Sequence, residues 1–204
     1  NCATSPHRPA RTNKRHMARK AGSGRVADTS RDHHPQPGGA TVPMMESDEA
    51  RERFTGARVA RLATVDGEGR PHVVPLVLAA VGHDTLGPDA LGHHAFVSAV
   101  DRKPKTSLQL RRLHNIAVQP AVSLLVDTYD EDWDRLWWVR ADGGARVVPA
   151  DADDPALREE YAAALAALAD KYPQYREQPP QGPVIAIAVH RWTGWRAASA
   201  PGPA

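Results

Sequence analysis

The largely apolar stretch Arg58-Val-Ala-Arg-Leu-Ala-Thr-Val65 is punctuated by single polar residues and reads as a strand. A turn-forming Asp66-Gly67-Glu68-Gly69 follows, and the apolar Pro71-His-Val-Val-Pro-Leu-Val-Leu78 reads as its partner, which predicts a β-hairpin. Pro71 and Pro75 each remove a ladder donor, so the second strand is expected at a sheet edge or interrupted by a bulge, and a backbone break there can serve a ligand. Upstream, Ser47 is placed to cap a short helix reaching about Phe54. Asp48 and Glu49 stand in its first turn and Ala50, Phe54 and Ala57 on one side, which suits a lid or plug.

Downstream, residues 82–94 read as a long polar turn and Ala95–Val100 as the next strand. Pro104 suits a helix start, with Leu108, Leu110 and Leu113 on its apolar face, and Ala121–Val126 is a strand again. Leu136–Arg140 is expected to turn at Asp142-Gly143-Gly144 into Ala145–Val148 as a second hairpin. Asp154 before Pro155, with Leu157, Tyr161, Leu165, Leu168 and Tyr172 at helical spacing, predicts a helix over 155–171. The last strand runs from Val184 to Trp192 and ends near Gly194-Trp195. Strands in mostly hairpin order with few inserted helices predict a mainly β fold, an antiparallel barrel with flanking helices rather than a βαβ nucleotide fold. GxGxxG and GxxxxGK[ST] are both absent, so a cofactor must be held by something other than those phosphate loops.

Composition changes this picture at the N-terminus. Residues 1–43 carry 8 Lys+Arg against 2 Asp+Glu, a charge of +6, whereas 44–204 carry 18 against 22, a charge of −4. The first segment has no aromatic residue and few aliphatic ones, too little apolar surface to offset the entropy of ordering it. It is therefore expected to be a disordered basic tail ahead of one barrel domain over 44–204, with Met44 a candidate native start. Without stacking aromatics the tail is not expected to bind nucleic acid specifically. No apolar run is long enough for a membrane helix, and Cys2 is the sole cysteine, so a reducing cytoplasm is the expected setting.

The dense charge feature of the acidic body is Arg102-Lys103-Pro-Lys105-Thr-Ser-Leu-Gln-Leu-Arg111-Arg112, five cations without an acid. Lys103 and Lys105 at a helix start, with the hydroxyls of Thr106 and Ser107, make a phosphate cradle; a solvated cationic helix face accounts for the same residues. Trp137 and Trp138, adjacent on a strand, must face opposite sides, one into the barrel and the other toward a helix or a second subunit. His72 is open to a cofactor ring or substrate, or is an ordinary strand histidine. His83, His93 and His94 lack metal-ligand spacing, and Ser98 and Ser123 lack the Gly-x-Ser-x-Gly elbow, so neither a zinc site nor a serine triad is expected.

Taken as an ordered series, the block from Arg58 to Pro75, Ala99-Val-Asp-Arg-Lys-Pro-Lys105, Arg111-Arg-Leu-His-Asn-Ile116, Val122-Ser-Leu-Leu-Val-Asp127, the stretch from Trp133 to Gly143 and Lys171-Tyr-Pro-Gln-Tyr175 resembles the pyridoxamine-phosphate-oxidase-like split β-barrel family. The likeness spans about 46–197 and is closest to the actinobacterial branch of coenzyme F420-dependent oxidoreductases. It implies a homodimer with cofactor sites at the subunit interface, a deazaflavin or in some relatives FMN against the barrel, and hydride transfer between reduced F420 and a small reducible organic substrate. On this resemblance Lys105, Lys103, Thr106 and Arg112 hold the phosphate or acidic tail. Thr64, His72, Val74 and Pro75 lie beside the ring, and Trp138 and Arg140 contribute from the fifth strand. Tyr129 and His72 are candidate proton donors. An FMN-dependent oxidase or reductase, or a non-catalytic flavin- or haem-type binding protein on the same barrel, stands as the alternative. Residues 1–43 and the length of the 82–94 loop have no counterpart in the pattern.

A chain beginning at Met44 is expected to keep the circular dichroism spectrum and the cofactor affinity of the full chain. Loss of either overturns the reading of 1–43 as a tail.

Overall fold

The computed structural model describes residues 44–82, 94–100 and 110–197; the predicted tail and most of the polar turn lie outside them. Helix α1 (Ser47–Gly56) is followed by β1 (Ala60–Val65), β2 (Pro71–Leu76), β3 (Ala79–Val81), β4 (His94–Ala99), α2 (Arg111–Val118) and β5 (Ala121–Thr128). A 3-10 turn (Trp133–Arg135) leads into β6 (Trp137–Val148), and α3 (Pro155–Lys171), α4 (Gln174–Glu177) and β7 (Val184–Arg196) complete the order. No helix among the described residues is long and apolar enough to cross a membrane.

All pairings in the seven-stranded sheet are antiparallel, in the order β2-β1-β5-β6-β7-β4-β3. The strands at its two edges, β2 and β3, are joined through Val77 and Leu78 alone, so the sheet must curl until its edges meet: it is a barrel. The edge position of β2 is what Pro71 and Pro75 require. The β1–β2 turn closes with the Gly69 N–H donating to the Asp66 carbonyl at 2.9 Å, and Gly69 adopts φ +80, a left-handed conformation glycine accommodates freely. Arg70 Nε donates to the Asp66 carboxylate at 2.8 Å, and the backbone N–H groups of Arg70 and Glu68 add to it. These bonds, led by the Arg70 side chain, lower the Asp66 pKa from 3.8 to about 2.

Three expectations are corrected. Asp142-Gly143-Gly144 is not a hairpin turn but the middle of the twelve-residue strand β6. A Cβ on Gly143 would lie 2.3 Å from the Ala188 carbonyl oxygen, and the register with β7 shifts there, Asp142 facing Arg191 and Gly143 facing Val189. The glycine serves a close approach at a β-bulge, not a chain reversal. Secondly, Pro71–Leu78 is not one strand: it breaks at Val77-Leu78, where the chain passes from one sheet edge to the other. Thirdly, Leu110 is extended (φ −74, ψ 127) and α2 begins after it, so no helix continues through 104–113, and residues 101–109 lie outside the described ones. At α1, Glu46 rather than Ser47 takes the cap position, without a side-chain bond, while Asp48 and Glu49 occupy the first turn as expected. Helix α3 matches its predicted bounds, and the Asp154 carboxylate accepts from Ala156 N–H at 2.8 Å.

Two apolar clusters result. One fills the barrel with Leu62, Leu78, Phe96, Leu124, Val139, Ile185 and Ile187 and is plugged by Phe54 of α1, whose ring meets Phe96 and Trp192 edge-on at 5.0 and 5.2 Å. The other lies between the sheet and α3 and includes Val97, Val148, Leu168 and Val184.

The edge-to-edge crossover leaves Leu78 fully buried between two strands. The hydroxyl of Tyr172 stands in for a ladder partner: it accepts from Leu78 N–H at 3.2 Å and lies 2.8 Å from the carbonyl oxygens of Leu78 and Arg58 as donor. Burial raises its pKa, with the Leu78 hydrogen bond acting in the opposite sense. Tyr172→Phe strands these buried groups and is expected to cost about 1–3 kcal/mol. Gly143→Ala forces backbones apart and is expected to lower stability at least as much as other core overpacking, about 1–3 kcal/mol. Urea unfolding of each variant checks both, and a wild-type midpoint for either would remove that residue from the account of closure.

Candidate functional site

A cleft of about 200 Å³ opens where the barrel's edges meet, lined by Val59, Pro75, Leu76, Val77, Ser98, Ala99, Arg112 and Tyr175. Each wall follows from the topology. Pro75 to Val77 is the stretch that departs from the β1 ladder, Ser98 and Ala99 end β4, Arg112 lies in the first turn of α2, and Tyr175 stands on α4. Ser98, 3% exposed, shares the lining of the cleft with Arg112. Ala99, before residues 101–109, and Arg112, after them, both line this cleft.

Of the residues singled out in the sequence, Pro75 and Arg112 share this cleft. Lys103, Lys105 and Thr106 fall outside the described residues. Thr64, His72 and Val74 share the barrel-facing side of the β1–β2 hairpin, because Thr64 pairs with His72 and Leu62 with Val74. Val74 packs against the barrel core. Thr64 is 1% exposed, and its hydroxyl accepts from Asn115 Nδ2 at 3.0 Å and donates to the His72 carbonyl oxygen at 3.4 Å. Trp138 and Arg140 stand on the outer face of the sheet. Arg140 aligns with Leu125 and Arg61 across the strands, Arg61 forms an ion pair with Asp127, and Arg140 Nε lies 3.1 Å from the Asp142 carboxylate, which also accepts from Ser123 Oγ at 2.6 Å. Arg140 Nε has no hydrogen bond by geometry, so that ion pair is a charge contact only. Trp137 turns the other way, into contact with the core, with Arg53 5.0 Å above its ring.

The set thus divides by strand parity into an anion-sized cleft, a buried polar group inside the barrel and an outer face that also exposes Val59, Val73 and Leu125. Of the proton-donor candidates, Tyr129 is 77% exposed beyond the end of β5, and His72 is half-buried. Among the described residues no group of three His, Cys, Asp or Glu side chains is placed to share a metal ion.

Sequence reasoning missed Asn115 and Ser98 as site residues. Asn115 sits three positions after Arg112, so one face of α2 presents Arg112 to the cleft and Asn115 to Thr64. Its signal was available: a polar residue beside Ile116 on the buried side of an amphipathic helix. Ser98 carries no local signal, since its place depends on where β4 ends relative to the crossover.

Solved structures with the same fold include an FAD-binding protein from Mesorhizobium loti, 20% identical with a TM-score of 0.53, the match covering 76% of this chain and 98% of that one. A Corynebacterium diphtheriae protein of unknown function is 18% identical with a TM-score of 0.50, covering 76% and 98%. A haem storage protein from Vibrio cholerae is 17% identical with a TM-score of 0.49, covering 74% and 93%. At these identities the likeness concerns the fold alone. No curated protein sequence matches the chain. The family model for pyridoxamine 5'-phosphate oxidase, however, matches residues 47–196, from the first residue of α1 to the last of β7. The seven-stranded antiparallel sheet and this match from α1 to β7 place the chain in the pyridoxamine 5'-phosphate oxidase family.

Proposed function

We propose that this chain is an oxidoreductase that binds a phosphorylated, planar redox cofactor at the barrel seam, with coenzyme F420 as the occupant and a small reducible organic molecule as substrate. The observation that carries the reading is the convergence of Pro75, Ser98 and Arg112, the last cation of the run, on one cleft. The fit is partial in an informative way. About 200 Å³ is less than the roughly 300–1,000 Å³ of a site that encloses a whole ligand, but it suffices for a phosphate or carboxylate group. The cleft therefore takes the anionic end, and the ring lies outside it, along the outer face near Trp138 and Arg140. A second copy of the chain completes that part of the site by covering Val59, Val73 and Leu125, which a lone barrel exposes.

In this reading Arg112 supplies a fixed, forked donor at the anion, and Lys103, Lys105 and Thr106 add charge and a hydroxyl. Ser98 offers a further hydrogen bond from the cleft wall. Pro75, which has no N–H, leaves the edge of β2 without a donor where the ring approaches. Reduced deazaflavin supplies the hydride when bound, so the protein needs to orient and exclude water rather than provide a catalytic triad. Five cations in the run suit a phosphate followed by an oligoglutamate tail better than a single phosphate. FMN or FAD is the second reading, favoured by the FAD-binding Mesorhizobium loti protein of the same fold; a non-catalytic carrier differs from both in lacking turnover.

Titration of the protein with F420, FMN and FAD, followed by tryptophan fluorescence at two salt concentrations, is expected to show F420 bound most tightly and weakened by salt. Preference for FMN or FAD moves the assignment to a flavin, and binding of none of them removes the cofactor reading. Lys105→Ala and Arg112→Ala are each expected to weaken F420 binding by about 1–3 kcal/mol, roughly 5- to 150-fold in Kd. Light scattering is expected to give a dimer, and a monomer with full cofactor affinity would contradict the shared site.

A further inference from the structure

Two cations of the body stand together without an acid. The Arg58 guanidinium carbon lies 5.0 Å from the centre of the Tyr172 ring, and Lys171 Nζ lies 5.8 Å from the same centre. Lys171 Nζ also meets the Ala57 carbonyl oxygen at 2.7 Å, in the peptide unit that leads into Arg58. The two charges act on each other, since that of Arg58 adds to burial in holding the Lys171 pKa down. Several arginines elsewhere in this acidic body stand beside carboxylates: Arg53 with Glu49, Arg70 with Asp66 and Arg146 with Glu160. Among the described residues neither Arg58 nor Lys171 has such a partner. Asp170, next to Lys171 in the chain, is 93% exposed and faces Arg176 at 3.8 Å. Folding accounts for only part of this charge. Lys171 spends two N–H groups on the Thr55 and Ala57 carbonyls at the end of α1, which leaves the third and the full charge. The exposed Arg58 guanidinium has no hydrogen bond among the described residues; what Tyr172 binds is its backbone carbonyl.

We infer that Arg58 and Lys171 form a second anion-binding site, beside the cleft, that takes a carboxylate or phosphate group of a small ligand. Like charges held near one ring, one of them half-buried, repel each other, and an anion between them replaces that cost with attraction on both sides. The forked donors of Arg58 and the point charge of Lys171 suit an oxyanion. The site adjoins the cleft without being part of it. Val59, the residue after Arg58, and Tyr175, whose ring is 5.9 Å from that of Tyr172, line the cleft, whereas Arg58 and Lys171 do not. The inference stands independently of what the cleft holds. Two sources supply such a group: a free small anion, or the acidic end of a ligand seated in the cleft.

The test follows the lysine Cε–Hε signals of the full chain labelled with 13C-lysine. There are five lysines, Lys14, Lys20, Lys103, Lys105 and Lys171, and Lys171 gives the signal lost in Lys171→Arg. Should that variant not fold, Lys171 is the signal left after single Lys→Arg changes at the other four. Inorganic phosphate, exchanged for chloride at constant ionic strength, is expected to raise the Lys171 pKa saturably, half-way at about 1–10 mM, because an anion favours the charged amine. Lys14 and Lys20 are expected to show no saturable change. Arg58→Gln is expected to raise the Lys171 pKa without phosphate and to weaken the phosphate response at least about 10-fold. An unchanged Lys171 pKa in Arg58→Gln overturns the inference, as does a missing phosphate response in wild-type protein. A response lost in Arg112→Ala but kept in Arg58→Gln puts the phosphate in the cleft and overturns it too. F420 separates the sources. If bound F420 shifts Lys171 and abolishes the phosphate response, the group is the acidic end of the cleft ligand; if the response survives, the site takes a free anion. Protein that answers phosphate at Lys171 but binds neither F420 nor a flavin refutes the proposed function and leaves this site standing.

Discussion

Closure of this barrel depends on one oxygen atom. A sheet whose edge strands are joined by two residues must pass its backbone from one edge to the other through the core, and Leu78 makes that passage with no strand partner for its N–H or carbonyl. The Tyr172 hydroxyl accepts from the first and, having one proton, donates to either of two carbonyls it reaches at the same 2.8 Å, those of Leu78 and Arg58. Its position is secured from both sides. Arg176 binds the Ala169 and Asp170 carbonyls at the end of α3, at 2.8 and 2.9 Å, and Lys171 binds the Thr55 and Ala57 carbonyls at the end of α1, at 2.8 and 2.7 Å. A cation at a helix C-terminus is favoured by the dipole, although burial, helped by the nearby Arg58 charge, pushes the Lys171 pKa down. The plug helix, the crossover and the long α3 therefore converge on residues 171–176, among which Tyr175 lines the cleft.

What the sequence made legible was whatever depends on near neighbours. The Asp154-Pro155 start and the spacing of Leu157, Tyr161, Leu165 and Leu168 define α3 to the residue, since capping and amphipathicity are local. Pro71 and Pro75 announced an edge strand because a missing donor has the same effect in any fold. Gly143 and Leu78 misled for the opposite reason: the first is small because β7 passes over it, and the second breaks a strand because its polar groups are served by a residue 94 positions away. Glycine pairs in a β pattern signal either a turn or a close approach, and only the partner strand tells which.

The candidate site was legible as a set of residues but not as an arrangement. Resemblance grouped Thr64, His72, Val74 and Pro75 because they follow one another along a hairpin, yet a period of two sends Thr64, His72 and Val74 inward and Pro75 to the cleft. Arg112 joined Pro75 through the return of the chain after the cationic run. Parity likewise separated Trp137 from Trp138, one packed on the core and the other on the outer face beside Arg140.

Polar burial supports the proposed site independently of any likeness. Four polar or charged residues are buried among the described ones: Thr64, Ser98, Asn115 and Glu160. Glu160 is accounted for structurally, since both its oxygens receive Arg146 Nη2 at 2.7 and 2.6 Å. The other three gather where α2 meets the barrel: Ser98 on the cleft with Arg112, and Thr64 with Asn115 one helical turn further along. A core made only for stability gains nothing from hydroxyls and an amide there, because apolar residues of the same shape pack without an orphaned oxygen. Their clustering beside the crossover between β2 and β3, where Arg112 lines the cleft, supports the proposed site over packing alone as their explanation.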